Sequence, residues 1–190
     1  SCFIGVSQYT RFIGASRRGI APRFPVVVHS RQRTLSGGLN VEFTRDYFVH
    51  YYEADSSHRL TVPALVQYLE DIAIVHSSSV GLDLAYYNAN ACGWMLLKWE
   101  IKIDALPSFG DTVTVSTHVH SMKGFLADRE FSVRSADGRP LAWARSNWLL
   151  VDTEKRRPMR VPQDQYERFG VTPESSPLFV AIDDVALPDT

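Results

Sequence analysis

Several groupings in this sequence carry side chains able to do chemistry. Glu70 and Asp71 stand side by side within Thr61–Gly81, TVPALVQYLEDIAIVHSSSVG. A carboxylate held on a helix serves as general base, or as nucleophile toward an acyl carbonyl, once a neighbour covers it and raises its pKa. Left in water, the same pair is only a solvated face. His76, further along that stretch, is either a core residue with one hydrogen bond or a polar contact for a ligand lying along the helix. His118-Val-His120 puts two imidazoles on one face of a strand, which is how a metal site can begin. No third ligand stands near them in sequence and the cysteines are not spaced to help, so no metal centre is expected. Cys92 has no neighbour able to lower its pKa and reads as packing. Trp94, Met95, Leu97 and Trp99 suit the wall of an apolar pocket and an ordinary core equally well. Lys155, Arg156, Arg157 and Arg160 form a basic cluster in an otherwise acidic body, either a docking patch or a solvated strand end.

The elements that must position these groups are legible from periodicity. Val62, Val66, Leu69, Ala73, His76 and Val80 recur at spacings of four and three, one apolar stripe down a helix. Thr61 is placed to cap it, Pro63 falls in the first turn, and Gly81 stops it. Glu70 and Asp71 lie about 120–140° from the stripe. Before the helix, Val41–Tyr52 reads as a strand and Glu53–His58 as a polar turn; after it, Asp83–Ala91 is a loop or short helical turn. Four strands follow. Met95, Leu97, Trp99, Ile101 and Ile103 share one face of the first, and Val113, Val115, Thr117 and Val119 share one face of the next. In the third, Phe131 and Val133 oppose Asp128, Glu130, Ser132 and Arg134. Asp137-Gly138 turns the chain into Leu141–Asp152, apolar on both faces and therefore central. Gln163–Phe169 is a short helix candidate, and Thr172–Pro177 a linker. The whole is α+β: one helix and an antiparallel sheet of about five strands.

The totals bound the rest. In 190 residues there is room for one domain with a sizeable core. No apolar run reaches the roughly 20 residues of a membrane span. Two cysteines make no disulfide framework, so a reducing compartment, the cytoplasm, is the default. Residues 1–41 hold six arginines and no Asp, Glu or Lys, leaving fourteen basic against twenty-one acidic side chains in the remainder. An acidic body argues against nucleic acid as partner. The Ser- and Arg-rich start has the composition of a transit peptide, which would place the protein in the plastid stroma, or of a loosely ordered extension. The expected division is an extension over 1–40, a folded domain over 41–162, and a linker or new element over 163–190.

Strand, helix and four strands resemble a hotdog domain, and ordered blocks resemble the N-terminal half of the fatty acyl-ACP thioesterases. These are Tyr52-Glu53, Leu69-Glu70, His76-Ser-Ser-Ser-Val-Gly81, Trp94, Pro107-Ser-Phe-Gly-Asp111-Thr-Val, Arg129, Ala144-Arg145-Ser-Asn-Trp148 and Asp152-Thr-Glu-Lys-Arg156-Arg157, together covering about residues 45–168. The resemblance implies hydrolysis of fatty acyl-ACP to free fatty acid and holo-ACP, in fatty acid biosynthesis, with no cofactor or metal. It implies two tandem hotdogs, with the chemistry in the second, on a D-x-N-x-H-V-N-N-type block and a later Cys or Glu. No such block occurs in these residues; Asp55-Ser-Ser-His58 is a superficial echo. This half would then hold the acyl chain on Trp94, Met95, Leu97 and Trp99, with His76 at the thioester or pantetheine end. Lys155, Arg156, Arg157 and Arg160 would meet the acidic carrier protein, and a second hotdog or a second copy would pair with the sheet edge. Two other readings stay open: a homodimeric acyl-CoA thioesterase using Glu70 or Asp71, and a non-catalytic acyl-binding module.

Overall fold

A computed structural model describes residues 30–34 and 41–171. Helix α1 (Val62–Ser79) begins where the sequence places it, with the Thr61 hydroxyl accepting from the Ala64 N–H at 3.4 Å. It ends before Gly81, whose φ of 78° is the left-handed conformation a glycine adopts without strain. Its buried face differs from the expected stripe. Ala64, Leu65, Tyr68, Leu69, Ile72, Ala73 and His76 are buried, whereas Val62 is exposed and Val66 only half-buried. A curved sheet covers two adjacent rows of the helix rather than one ridge, so the apolar face is wider and rotated from a single i, i+4, i+7 line.

The sheet follows the order β1-β2-β4-β5-β6-β3, antiparallel throughout. The five expected strands are β2 (Val41–Phe48), β3 (Cys92–Ile103), β4 (Thr112–Lys123), β5 (Leu126–Ser135) and β6 (Pro140–Asp152). A 3-10 turn, Tyr51–Glu53, replaces the end of the first expected strand. Two short strands add to the five. β1 (Ser30–Thr34), within the stretch expected to be an extension, pairs with β2 from Ser30↔Arg45 to Thr34↔Val41. Its sequence, SRQRT, has no apolar alternation to betray a strand. β7 (Arg157–Pro158) pairs with the end of β6. The Asp137-Gly138 turn joins β5 to β6, which lies inside the sheet as its doubly apolar pattern requires.

One core gathers the first part of α1 against Phe43, Val113, Val115, Phe131, Val133, Leu141, Ala142 and Ala144. A second forms at the other end from Leu82, Cys92, Val119, Met122, Ala127 and Leu150 with Tyr166 and Phe169. The last two belong to α3 (Gln163–Phe169), which lies beyond the expected domain end at 162 yet buries Gln165, Tyr166 and Phe169 in this core. Gly170, at φ 67°, terminates it. Helix α2 (Leu84–Ala89), capped by Asp83 on the Tyr86 N–H at 2.9 Å, lies in the stretch read as a loop or short helical turn and takes the second form.

Candidate functional site

The two cores meet at a polar junction. Leu65, Leu69, Ile72 and His76 follow one another at helical spacing, so the row that packs on the sheet ends in an imidazole. Register sets Arg129 of β5 between Val119 of β4 and Ser146 of β6, on the face toward α1. There its guanidinium donates to Nδ1 of His76 at 2.9 Å and to the Thr117 hydroxyl at 3.4 Å, and lies 5.4 Å from the centre of the Phe169 ring. Phe43 stacks on His76 and Phe169 meets it edge-on, both at 5.4 Å. Burial, and then the Arg129 charge, push the His76 pKa down to about 2, so the ring is neutral at ordinary pH. Burial lowers Arg129 to about 10, which leaves it a cation near neutral pH. No carboxylate among the described residues pairs with it. Because Nδ1 accepts, the proton of His76 sits on Nε2, which is buried without a partner. The junction can donate hydrogen bonds to an acceptor. It cannot exchange protons near neutrality.

A second polar group lies where α2, β3 and α3 meet. The Trp94 indole donates to Oε1 of Gln165 at 3.1 Å, while Nε2 of Gln165 and the Tyr87 hydroxyl are buried and unpartnered. Burial raises the Tyr87 pKa, so it stays a phenol. Tyr86 donates to Asp164 at 2.8 Å. Sequence reasoning singled out neither Tyr87 nor Gln165 as a site residue, because the packing of α3 on the second core is what brings them together.

Of the four predicted wall residues, two face inward. Trp99 packs on Phe131 at 5.0 Å and Trp94 joins the second core. Met95 and Leu97 are each 51% exposed. The expected alternation fails because β3 has one residue too many: Leu96 pairs with Trp148 and Lys98 with Asn147, leaving Leu97 as a bulge. Each bulge exchanges the two faces of the strand beyond it, so an even and an odd position, Trp94 and Trp99, come to share one side. Asp128, expected on the wet face of β5, is likewise buried, accepting from Asn147 and from the Ser121 hydroxyl. Polar partners on both neighbouring strands make that burial affordable.

The helix carboxylates are not brought to the junction. Asp71 is exposed and accepts from Arg45 and from the Tyr47 hydroxyl, each at 2.7 Å; Glu70 is half-buried. Of the basic cluster, Lys155, Arg157 and Arg160 line a cleft of about 360 Å³ with Asp152, Pro158 and Met159. Lys155 pairs with Asp152 at 3.3 Å and Arg160 lies over the Phe125 ring. Arg156 is exposed in the turn, at φ 52°. Burial raises the Cys92 pKa, in keeping with a packing role. On the face away from α1, His118 and His120 both approach Glu130.

The acyl-ACP thioesterase N-terminal domain matches residues 40–169. A chloroplastic palmitoyl-acyl carrier protein thioesterase of Gossypium hirsutum is 25% identical over 155 residues, 78% of this chain and 36% of that protein. The chain thus spans little more than a third of the length of such curated relatives. Among solved structures, an acyl-ACP thioesterase from Bacteroides thetaiotaomicron superposes with a TM-score of 0.62 at 25% identity, over 75% of this chain and 60% of that one. A 1,4-dihydroxy-2-naphthoyl-CoA thioesterase from Synechocystis gives 0.62 at 17% identity, over 67% of this chain and 95% of that one. The fold is the hotdog. No helix among the described residues is long and apolar enough to cross a membrane.

Proposed function

Since this chain belongs to the acyl-ACP thioesterase family, through that family's N-terminal domain, we propose that it is the acyl-holding part of an enzyme that hydrolyses fatty acyl-ACP. The products are free fatty acid and holo-ACP, as in fatty acid biosynthesis. The observation that carries this reading is the family match over residues 40–169, which runs from β2 to α3 and so takes in the whole helix-and-sheet unit.

The junction of His76 and Arg129 supports a positioning role rather than a catalytic one. The ring is held neutral and in one tautomer, and offers a buried N–H to an acceptor such as the thioester carbonyl or an amide of the pantetheine arm. Trp94 and Trp99 are the inward-facing candidates for acyl contact. The hydrolytic groups are supplied outside the described residues. Asp71 is tied to Arg45 and Tyr47, and no Asp-Asn-His block occurs among these 190 residues. The cleft lined by Lys155, Arg157 and Arg160 suits an acidic carrier protein. β3 ends the sheet, with Met95 and Leu97 exposed, and is the edge where a second hotdog pairs. The acid-free, Arg-rich start and the chloroplastic relatives favour the plastid stroma over the cytoplasm.

The test is thiol release from acyl-ACP and acyl-CoA of several chain lengths by the purified 190-residue chain, with folding and oligomeric state checked on the same sample. A folded chain that binds acyl-ACP without turnover supports the reading. Turnover abolished by Glu70→Gln or Asp71→Asn would overturn it in favour of a site assembled from copies of this chain.

A further inference from the structure

The face of the sheet turned away from α1 carries a row of alternating charge. In register, His118 of β4 lies opposite Glu130 of β5, Glu130 opposite Arg145 of β6, and Arg145 opposite Glu100 of β3. Lys98 pairs with Glu100 at the far end, and Arg145 with Glu130 in the middle. At the near end stands His120, the residue left over where the β4–β5 register shifts between Val119 and Ser121. An extra residue in a bulge is re-aimed away from its strict alternating position. Here it brings Nδ1 of His120 to 3.7 Å from Oε1 of Glu130, while Nε2 of His118 lies 3.5 Å from Oε2. The ligand atoms of the three residues all lie within 4.8 Å of one another.

We propose that His118, His120 and Glu130 bind one divalent transition-metal ion, zinc fitting best, which ties β4 to β5 on the outer face of the sheet. Two imidazoles and a carboxylate are a donor set that suits zinc and its neighbours in the first transition row rather than calcium or magnesium. Ligands about 2.0–2.2 Å from a tetrahedral ion stand about 3.3–3.5 Å from each other. The observed separations of 3.5 and 3.7 Å run to the two different oxygens of Glu130, and the three ligand atoms lie within 4.8 Å of one another, so side-chain rotation has to draw them in around an ion. A neutral imidazole presents a lone pair to such an ion. All three side chains keep partial exposure, which leaves ion and water an approach. Arg145 is the adverse charge. Its guanidinium engages Oε1 of Glu130, leaving Oε2 toward His118, and Glu100 stands opposite it on the other side. That arrangement orients the carboxylate, as hydrogen bonds to metal-bound carboxylates do, and sets the affinity below that of an unopposed three-ligand site. The site takes no part in the proposed hydrolysis.

The experiment is titration of the metal-stripped 190-residue chain with Co²⁺, followed by its visible d–d bands, and with Zn²⁺, followed by competition and by Tm. One Co²⁺ per chain, displaced by Zn²⁺, with Zn²⁺ raising Tm, is expected. His118→Asn/His120→Asn should weaken binding by about 100-fold or more, and Glu130→Gln by about 10-fold. His58→Asn, in an exposed turn, should change nothing. Should the double variant fail to fold, His120→Asn alone serves, since the bulged residue is the more exposed of the pair. Absence of Co²⁺ bands at about 1 mM, or bands that persist in the folded variants, overturns the proposal.

Discussion

Arg129 donates to Nδ1 of His76 across 2.9 Å, and this bond decides which nitrogen of the imidazole keeps its proton. The consequence is a pH dependence of stability. His76 falls from the usual histidine value to about 2 in the fold, so it takes up a proton only on unfolding. The unfolded state then binds more protons below about pH 6.5, and stability is lost as pH falls through that value, by up to about 1.4 kcal/mol per pH unit. His118, also lowered by burial, acts in the same direction. Urea unfolding between about pH 7.5 and 5 should show this slope. His76→Gln, whose amide oxygen can still accept from Arg129, should flatten it in part. An unchanged slope in that variant would remove His76 as the source.

Arg129 has no carboxylate partner among the described residues, so its burial rests on His76, Thr117 and the face of Phe169. Replacing a buried charge by an apolar side chain of similar length is often nearly neutral, whereas truncation leaves a cavity. Arg129→Met should change unfolding free energy by about 1 kcal/mol or less, and Arg129→Ala should cost about 3 kcal/mol. Equal losses in the two variants would mean that the charge itself holds the junction. Thermal and urea unfolding of both variants decide the matter.

If the basic cleft receives an acidic carrier, reversing Lys155, Arg157 and Arg160 to Glu should act on encounter rather than on chemistry. In an enzyme that joins this domain to a hydrolytic one, as proposed, kcat/KM for acyl-ACP should fall by about 10-fold or more at low salt, with the gap narrowing as salt rises. Turnover of acyl-CoA at saturation should be little changed. Stopped-time assays at two ionic strengths separate these effects. Equal losses on both substrates would point to damage within the fold.

Asp71 accepts two short hydrogen bonds on an exposed face. Surface pairs of this kind contribute about 0.2–1 kcal/mol, so Asp71→Asn should destabilise by no more than that. In an enzyme that joins this domain to a hydrolytic one, as proposed, both Asp71→Asn and Glu70→Gln should leave kcat within about threefold of the parent, whereas loss of a catalytic group would raise the barrier, each added ~1.4 kcal/mol showing as a tenfold drop. Steady-state kinetics on one acyl-ACP suffice to check this.

Much of the architecture could be read from periodicity. The cap at Thr61, the stop at Gly81, the five long strands and the interior place of β6 all follow from local chemistry that acts over a few residues. What escaped the sequence depends on partners far along the chain. Strand β1 carries no apolar alternation and exists through backbone pairing with β2. His76 was visible on the helix, but the arginine that fixes its tautomer arrives from β5 by sheet register, and Phe169 from α3. Glu130 was passed over as companion to His118 and His120 for the same reason: cross-strand neighbours are distant in sequence. Asp128 read as a wet-face acid because Asn147 and Ser121, which receive it, lie on other strands.

The unpaired Leu97 makes strand length a carrier of information in its own right. Were the pairing regular with Leu97 kept, one tryptophan of the pair Trp94 and Trp99 would be turned out to solvent and Lys98 brought indoors, whereas removing Leu97 restores one-to-one pairing and leaves both tryptophans inside. A single-residue gap at Leu97 in a comparison of relatives is therefore neutral for the interior, whereas a gap elsewhere in β3, with the bulge kept, is not. A gap of that second kind exchanges inside for outside along part of the strand, and two chains that differ so need not present the same interior to whatever they enclose.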